Sequence, residues 1–295
     1  MAYGTASDSF NDYLKMSSQT IRSCIYKFSK AIIKLYHRIY LRKTSANDIQ
    51  QLYAAHEAKH GFVEMLSSID CTHWEWKKCP NAWRGQFSHE DHPRPCIMLE
   101  VVASYDLWIW HAFFIAGSNN DINVLNQSHI FDDMINGTAP ESSFELRGTL
   151  YQRGYYLADG IYLEYTTIVK SLTCPESIKR TTYKKAHDAA RKDIERAFGL
   201  LKNKWHIIER PARSWSQTRI RNIMHACEIL HNMILEDQEV AICQYNPNEE
   251  EPTYEEIDED QKRKKPSRNT TPGYHDALKS DLIGHIYERS QDHVF

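Results

Sequence analysis

Residues 65–77 read MLSSIDCTHWEWK, a run rich in β-branched, aromatic and small side chains with one carboxylate, Asp70, at its middle and another, Glu75, near its end. Two further runs of the same character follow, PCIMLEVVASYD at 95–106 and LWIWHAFFIAG at 107–117, separated by the polar turn signal Ser104-Tyr105-Asp106. They predict adjacent strands joined as a hairpin. GYYLADGIYLEY at 154–165 is a fourth strand candidate, ending in Asp159-Gly160. The pattern then changes period. In KKAHDAARKDIERAFGLLKNK, residues 184–204, Ala190, Ile194, Ala197, Leu201 and Trp205 recur at helical spacing. In 217–237 Ile220, Ile223, Met224, Cys227, Leu230 and Ile234 form a second apolar stripe. Strands followed by helices predict a mixed α/β domain over 61–237.

Residues 1–60 read as a small helical region of helix-turn-helix type. Helices at 7–15 and 18–41 are joined at Met16-Ser17-Ser18, where either serine can cap the second helix. Its expected apolar face is Ile21, Ile25, Phe28, Ile32, Leu35 and Tyr36; Arg22, Lys27, Lys30, Lys34 and Arg38 occupy the other faces. Residues 1–50 carry 8 basic and 3 acidic side chains. This suits a helix lying against DNA, and equally an ordinary helical hairpin with a solvated basic face.

The whole chain of 295 residues has 36 Lys and Arg against 39 Asp and Glu, so it is not a uniformly basic nucleic-acid binder. That average joins two unlike parts. Residues 238–295 hold 13 acidic and 7 basic side chains, leaving 26 acidic and 29 basic in 1–237. The tail 238–295 is expected to be mostly disordered, with one amphipathic helix in YHDALKSDLIGHIYER. Its KRKK run at 262–265 reads either as a nuclear-import signal or as a solvated charge run. Seven cysteines, an odd number without regular spacing, favour reduced thiols. The first residues lack a secretory pattern, and no apolar run reaches the ~18 residues of a membrane span. The expected setting is intracellular, with no membrane partner.

Four acids stand where a strand or helix would present them: Asp70, Asp121 in GSNNDINVL, Asp159 and Glu195. A carboxylate at the core edge of a sheet is costly unless it is paired, hydrogen-bonded or bound to metal. Glu195 lies one position off its helix's apolar stripe, so it can point across the sheet edge toward both aspartates.

The ordered string SSIDCTHWEWKKCPNAWRGQF, LEVVASYDLWIWHAFF, GSNNDINVL, GYYLADGIY, RKDIERAFGLLK and ILHNMILED resembles the PIF/Harbinger transposases and the host proteins derived from them, especially the plant-type branch. The resemblance covers roughly 60–237. It implies a ribonuclease H-like fold and a DDE triad of Asp70, Asp159 and Glu195, with Asp121 a further metal-site acid. It also implies a two-metal site for Mg²⁺ or Mn²⁺, cleavage of DNA phosphodiester bonds, a nuclear location, and a Myb-like or chromatin-associated protein partner. Hard divalent cations suit carboxylate oxygens, and a pair of them stabilises both the attacking and the leaving oxygen of a phosphodiester. The alternative is a domesticated protein that uses the same fold to bind DNA, chromatin or protein without cutting.

Basic side chains near the acids suit a DNA substrate: Lys77, Lys78 and Arg84 beyond Asp70, and Arg191, Lys192, Arg196, Lys202 and Lys204 around Glu195. Trp74, Trp76 and Trp83 read either as stacking surfaces for an unpaired base or as packing. Cys71, His73 and Cys79 offer a weak zinc pattern, because no second ligand pair stands at finger spacing.

Overall fold

The computed structural model describes residues 1–88, 94–119, 127–132, 142–160, 166–247 and 273–292. Its centre is strand β1, Met65–Glu75. To one side lie β2, Cys96–Ala103, and β3, Ile109–Ala116, both in antiparallel pairing as the hairpin reading requires. A small hairpin, β4 (Phe144–Leu146) and β5 (Thr149–Tyr151), stands apart from the main sheet. On the other side of β1 lie β6, Tyr155–Ala158, and β7, Ile168–Lys170, both parallel to their neighbours. The order β3-β2-β1-β6-β7 makes a mixed five-stranded sheet. With helices flanking it, this is the α/β, ribonuclease H-like arrangement expected above.

Every residue of β2 is buried, because both faces of the sheet are covered. The helices that do this are α1 (Ser18–Tyr40), α2 (Ala46–His60), α3 (Ile178–Lys204), α4 (Gln217–Asp237) and α5 (Tyr274–Asp292). Ser17 caps α1 by accepting from the Thr20 N–H at 3.2 Å. Ser45 and Asp48 form a reciprocal capping box on α2, and Gly61 ends it at φ 79°, a left-handed conformation suited to glycine. Ser177 caps α3, which therefore starts six residues before the expected 184, and Tyr183 in the added turn is fully buried. α5 lays Leu278, Leu282 and Ile286 into the same apolar cluster as Tyr183 and Ala190 of α3.

Along α1 the apolar face differs from the expected one. Ile21 and Ile32 are buried, but Phe28 is 48% and Leu35 63% exposed. The buried arc is centred on Ile25, Ser29, Ile32 and Tyr36, which face α4, and Phe28 and Leu35 fall at its edge. Ser29 can be buried there because its hydroxyl donates to the Ile25 carbonyl at 2.9 Å. Among the described residues no helix is long and apolar enough to cross a membrane. All seven cysteines are free thiols.

Candidate active site

The register of β1 against β6 brings two of the acids together. Ser68 pairs with Leu157 in parallel, and Asp70 and Asp159 each lie two residues further along. Both therefore stand at the same level of neighbouring strands, Asp70 in the middle of β1 and Asp159 just past the end of β6. α3 passes this level and supplies Glu195. Asp70 keeps one oxygen on the Cys71 N–H at 2.9 Å, and Asp159 one on the Gly160 N–H at 2.6 Å. The other oxygens turn toward α3.

There they meet one guanidinium. Arg191 Nη1 lies 3.5 Å from Asp70 Oδ2, while Nη2 lies 3.8 Å from Asp159 Oδ2 and 3.3 Å from Glu195 Oε1. Two of these contacts share a nitrogen, so Asp159 and Glu195 can be no farther apart than the two distances together. The Arg191 and Asp70 side chains are only 15% and 20% exposed, whereas Asp159 (47%) and Glu195 (53%) open to solvent. One turn earlier on α3, Asp188 accepts from Ser171 Oγ at 2.8 Å, just beyond β7, and pairs with Lys184 at 3.1 Å. Burial raises the Asp188 pKa, but the Ser171 and Lys184 hydrogen bonds outweigh it and hold the carboxyl below its usual value. This clamp fixes α3 against the sheet on the Arg191 side.

On the far side, Lys202 Nζ donates to Thr72 Oγ1 at 3.0 Å, and burial lowers its pKa. Asp193, which is 1% exposed, pairs with His60 Nε2 at 2.6 Å and with Arg196. His60 is nonetheless pushed down to about 4, first by burial and then by Lys59 and Arg196. Its neutral ring donates to Asp193, whose charge Arg196 already balances. The Lys202–Thr72 bond ties α3 to the strand bearing Asp70, and the Asp193–His60 pair ties it to the end of α2.

The four acids named from the sequence thus divide. Asp70, Asp159 and Glu195 converge on Arg191; Asp121 lies outside the described residues. Of the basic candidates, Lys27, Lys30 and Lys34 are exposed on α1, and Lys77, Lys78 and Arg84 are exposed beyond the end of β1. Arg22 binds Ser7 Oγ at 3.2 Å and lies 3.8 Å from Asp8. Arg191 and Arg196 are engaged with carboxylates. Trp74 and Trp76 belong to the core, with 5% and 0% exposure. Their indoles donate to the Arg210 and Ser214 carbonyls at 2.8 and 2.7 Å. Trp83 remains 42% exposed. His73 contacts Cys96 Sγ at 3.2 Å, and Cys79 is buried with its thiol pushed upward.

Three carboxylates grouped around one cation are hard oxygen donors, chemically suited to a hard divalent ion. As the side chains stand, Arg191 supplies the positive charge, and among the described residues no three His, Cys, Asp or Glu side chains are gathered tightly enough to hold a metal. The ligating chemistry fits, provided Arg191 yields its place.

The mixed sheet, with Asp70 on its central strand, Asp159 just past the neighbouring parallel strand and Glu195 brought beside them by a helix, is an α/β, nuclease-like fold carrying a carboxylate cluster. Residues 38–241 match the family of plant transposon proteins, and the chain belongs to that family. No curated protein and no solved structure matches it.

Proposed function

We propose that the chain is a transposase-derived DNA endonuclease of the plant-type PIF/Harbinger branch, acting in the nucleus through Asp70, Asp159 and Glu195. The observation that carries this reading is the convergence of all three carboxylates on Arg191. Asp70, on the central strand and the least exposed of the three, would hold both of two divalent cations, with Asp159 holding one and Glu195 the other. Bound there, Mg²⁺ or Mn²⁺ would activate the attacking oxygen and stabilise charge on the phosphate and leaving oxygen. Arg191, displaced from the carboxylates, would meet the phosphodiester with a paired set of N–H donors. The exposed Lys77, Lys78 and Arg84 would neutralise neighbouring phosphates, and a Myb-like protein would bring the element ends.

The test is incubation with DNA carrying candidate element ends, Mg²⁺ or Mn²⁺ and a Myb-like partner. Wild-type protein should nick it, and Asp159→Ala should lose at least about a hundred-fold in rate, as expected when a group stabilising transition-state charge is removed. Equal nicking by the variant would remove Asp159 from the reaction.

The position of Arg191 among the three carboxylates favours one competing reading, in which the arginine-occupied centre no longer cuts and the fold serves as a DNA-, chromatin- or protein-binding module. A wild-type chain that binds DNA or nuclear proteins but nicks with neither cation would establish it.

A further inference from the structure

Away from the carboxylates, a cavity of about 130 Å³ opens between α1, the start of α4 and the segment 205–214. At the roughly 30 Å³ a water occupies in the liquid, it holds about four. Its last wall is the N-terminal strap, residues 1–7, which is pinned in place. His206 N–H donates to the Ala2 carbonyl at 2.9 Å, Ile207 N–H to Met1 at 3.3 Å, and Arg210 Nη1 to Gly4 at 3.1 Å. Gly4 has φ +55°, and a Cβ there would lie 2.5 Å from the His206 carbonyl oxygen, so the strap can pass this closely only as glycine.

The lining divides by chemistry. Ile25, Ile220 and Ile223 make an apolar floor. Arg22, Arg210 and Arg213 stand at the opening, and no carboxylate lines the cavity among the described residues. Arg213 is exposed. Arg219 lies over the lining residue Tyr26, 4.5 Å from the ring centre, adding a fourth positive charge. Asp8, 75% exposed, lies 3.8 Å from Arg22, and Glu209, 61% exposed, faces His206 next to Arg210. An apolar slot with an arginine rim suits a flat ring carrying an anion, because guanidinium forks match phosphate oxygens. Trp74, which also lines the cavity, lies four residues from Asp70 along the same face of β1, about 13 Å at strand rise. That distance equals about four stacked steps of a DNA strand.

We propose that this cavity holds one unpaired nucleotide of a DNA strand, with its base on the isoleucine floor and its phosphate between Arg210 and Arg213. It deepens the DNA-handling reading above by supplying a strand anchor a few nucleotides from the carboxylates. A fully paired duplex cannot fill the slot, so the site selects DNA from which a base can leave the stack.

The test is fluorescence anisotropy of the full chain in EDTA, which removes any dependence on divalent cation. Three labelled duplexes are compared: fully paired, carrying one unpaired thymidine, and carrying an abasic residue at that position. Wild-type protein should prefer the unpaired thymidine over both others by about ten-fold, the scale of one base–protein stacking contact. Arg213→Ala, a change at an exposed side chain, should weaken binding of all three duplexes and weaken the unpaired-thymidine duplex most, shrinking the preference several-fold, because the displaced nucleotide's phosphate loses its guanidinium. Equal binding of all three duplexes, an abasic site bound as well as thymidine, or an undiminished preference in Arg213→Ala would each overturn the proposal. Full competition by free thymidine monophosphate would overturn the strand assignment in favour of a free-nucleotide site. Loss of nicking with this preference intact would unseat the metal reading alone; loss of the preference with nicking intact would unseat this one alone.

Discussion

Arg191 reaches Asp70 across the gap between α3 and β1, at 3.5 Å, and its second terminal nitrogen gathers Asp159 and Glu195. Arg191 therefore offsets part, but not all, of the negative charge of the three carboxylates. Removing Arg191 leaves three carboxylates facing one another. The pairs are partly solvated, each worth roughly 0–1 kcal/mol, so Arg191→Ala should destabilise the metal-free protein by only about 1 kcal/mol. It should also free the carboxylates for an external cation. Thermal melts with and without Mg²⁺ or Mn²⁺ should show a larger cation-induced rise in Tm for the variant than for wild type. A variant whose melting ignores both cations would contradict this.

Asn232 does structural work in the motif ILHNMILED. It is fully buried, donates to the carbonyls of Tyr40 (2.6 Å) and Ile109 (2.7 Å), and accepts from the Ile109 N–H (3.0 Å). Beside it His231 Nε2 contacts the Leu107 carbonyl at 2.9 Å. One side chain thus ties α4 to the end of α1 and the start of β3. Asn232→Leu would leave three buried backbone groups unpaired, and each orphaned group costs about 1–3 kcal/mol. The expected result is a loss of several kcal/mol in urea unfolding, or insoluble protein. A loss below about 1 kcal/mol would mean that water or another side chain replaces the amide.

The carboxylate centre was legible because strong local patterns carry it. β1, β2, β3, α3 and α4 all have clear patterns; Asp70 and Glu195 stand on two of them, and Asp159 is marked by the Asp-Gly pair that directly follows the short apolar strand β6. Arg191 was legible only as one more basic residue on α3, since the direction of its side chain depends on the parallel register of β1 and β6. α2 was not delimited as a helix because its buried face includes Asp48 and His56 beside Ile49, Leu52 and Tyr53. Those polar residues are satisfied by hydrogen bonds to Arg42, Ser45, Met65 and Tyr105 that come from outside any helical pattern. The three-residue strands β4, β5 and β7 are too short for alternation to register. Phe28 and Leu35 fit a helical stripe, yet tertiary packing centred the buried arc beside them.

Buried histidines predict acid lability. His37, His56, His187 and His231 are all pushed down to about 4, in each case chiefly by burial. In the unfolded chain they titrate near 6.5. Between about pH 6.5 and 4 the unfolded state binds protons that the folded state refuses, so stability present above 6.5 is lost on acidification. Each differing proton contributes about 1.4 kcal/mol per pH unit where the difference is complete. Glu64 and Asp106, raised by burial, act in the opposite direction but are fewer. The urea midpoint should fall steadily from pH 7 to 5, and a flat profile would refute the neutral burial of these rings.

The tryptophans near the end of β1 separate packing from surface roles. Trp76 is wholly buried, edge-on to Phe87 at 4.9 Å, and its indole N–H is the donor to Ser214. Trp76→Ala should cost about 3–5 kcal/mol from lost burial and the cavity it leaves. Trp76→Phe retains most of the apolar area but orphans the Ser214 carbonyl, a cost of about 1–3 kcal/mol. Trp83, 42% exposed and 6.1 Å from Trp76, has far less to lose. Trp83→Ala should change stability by no more than about 1 kcal/mol while weakening single-stranded DNA binding by about ten-fold, if its open face stacks on a base. Urea unfolding alongside anisotropy on the same three variants checks both roles. Equal DNA affinity in Trp83→Ala and wild type would leave this indole a purely structural lid over Trp76.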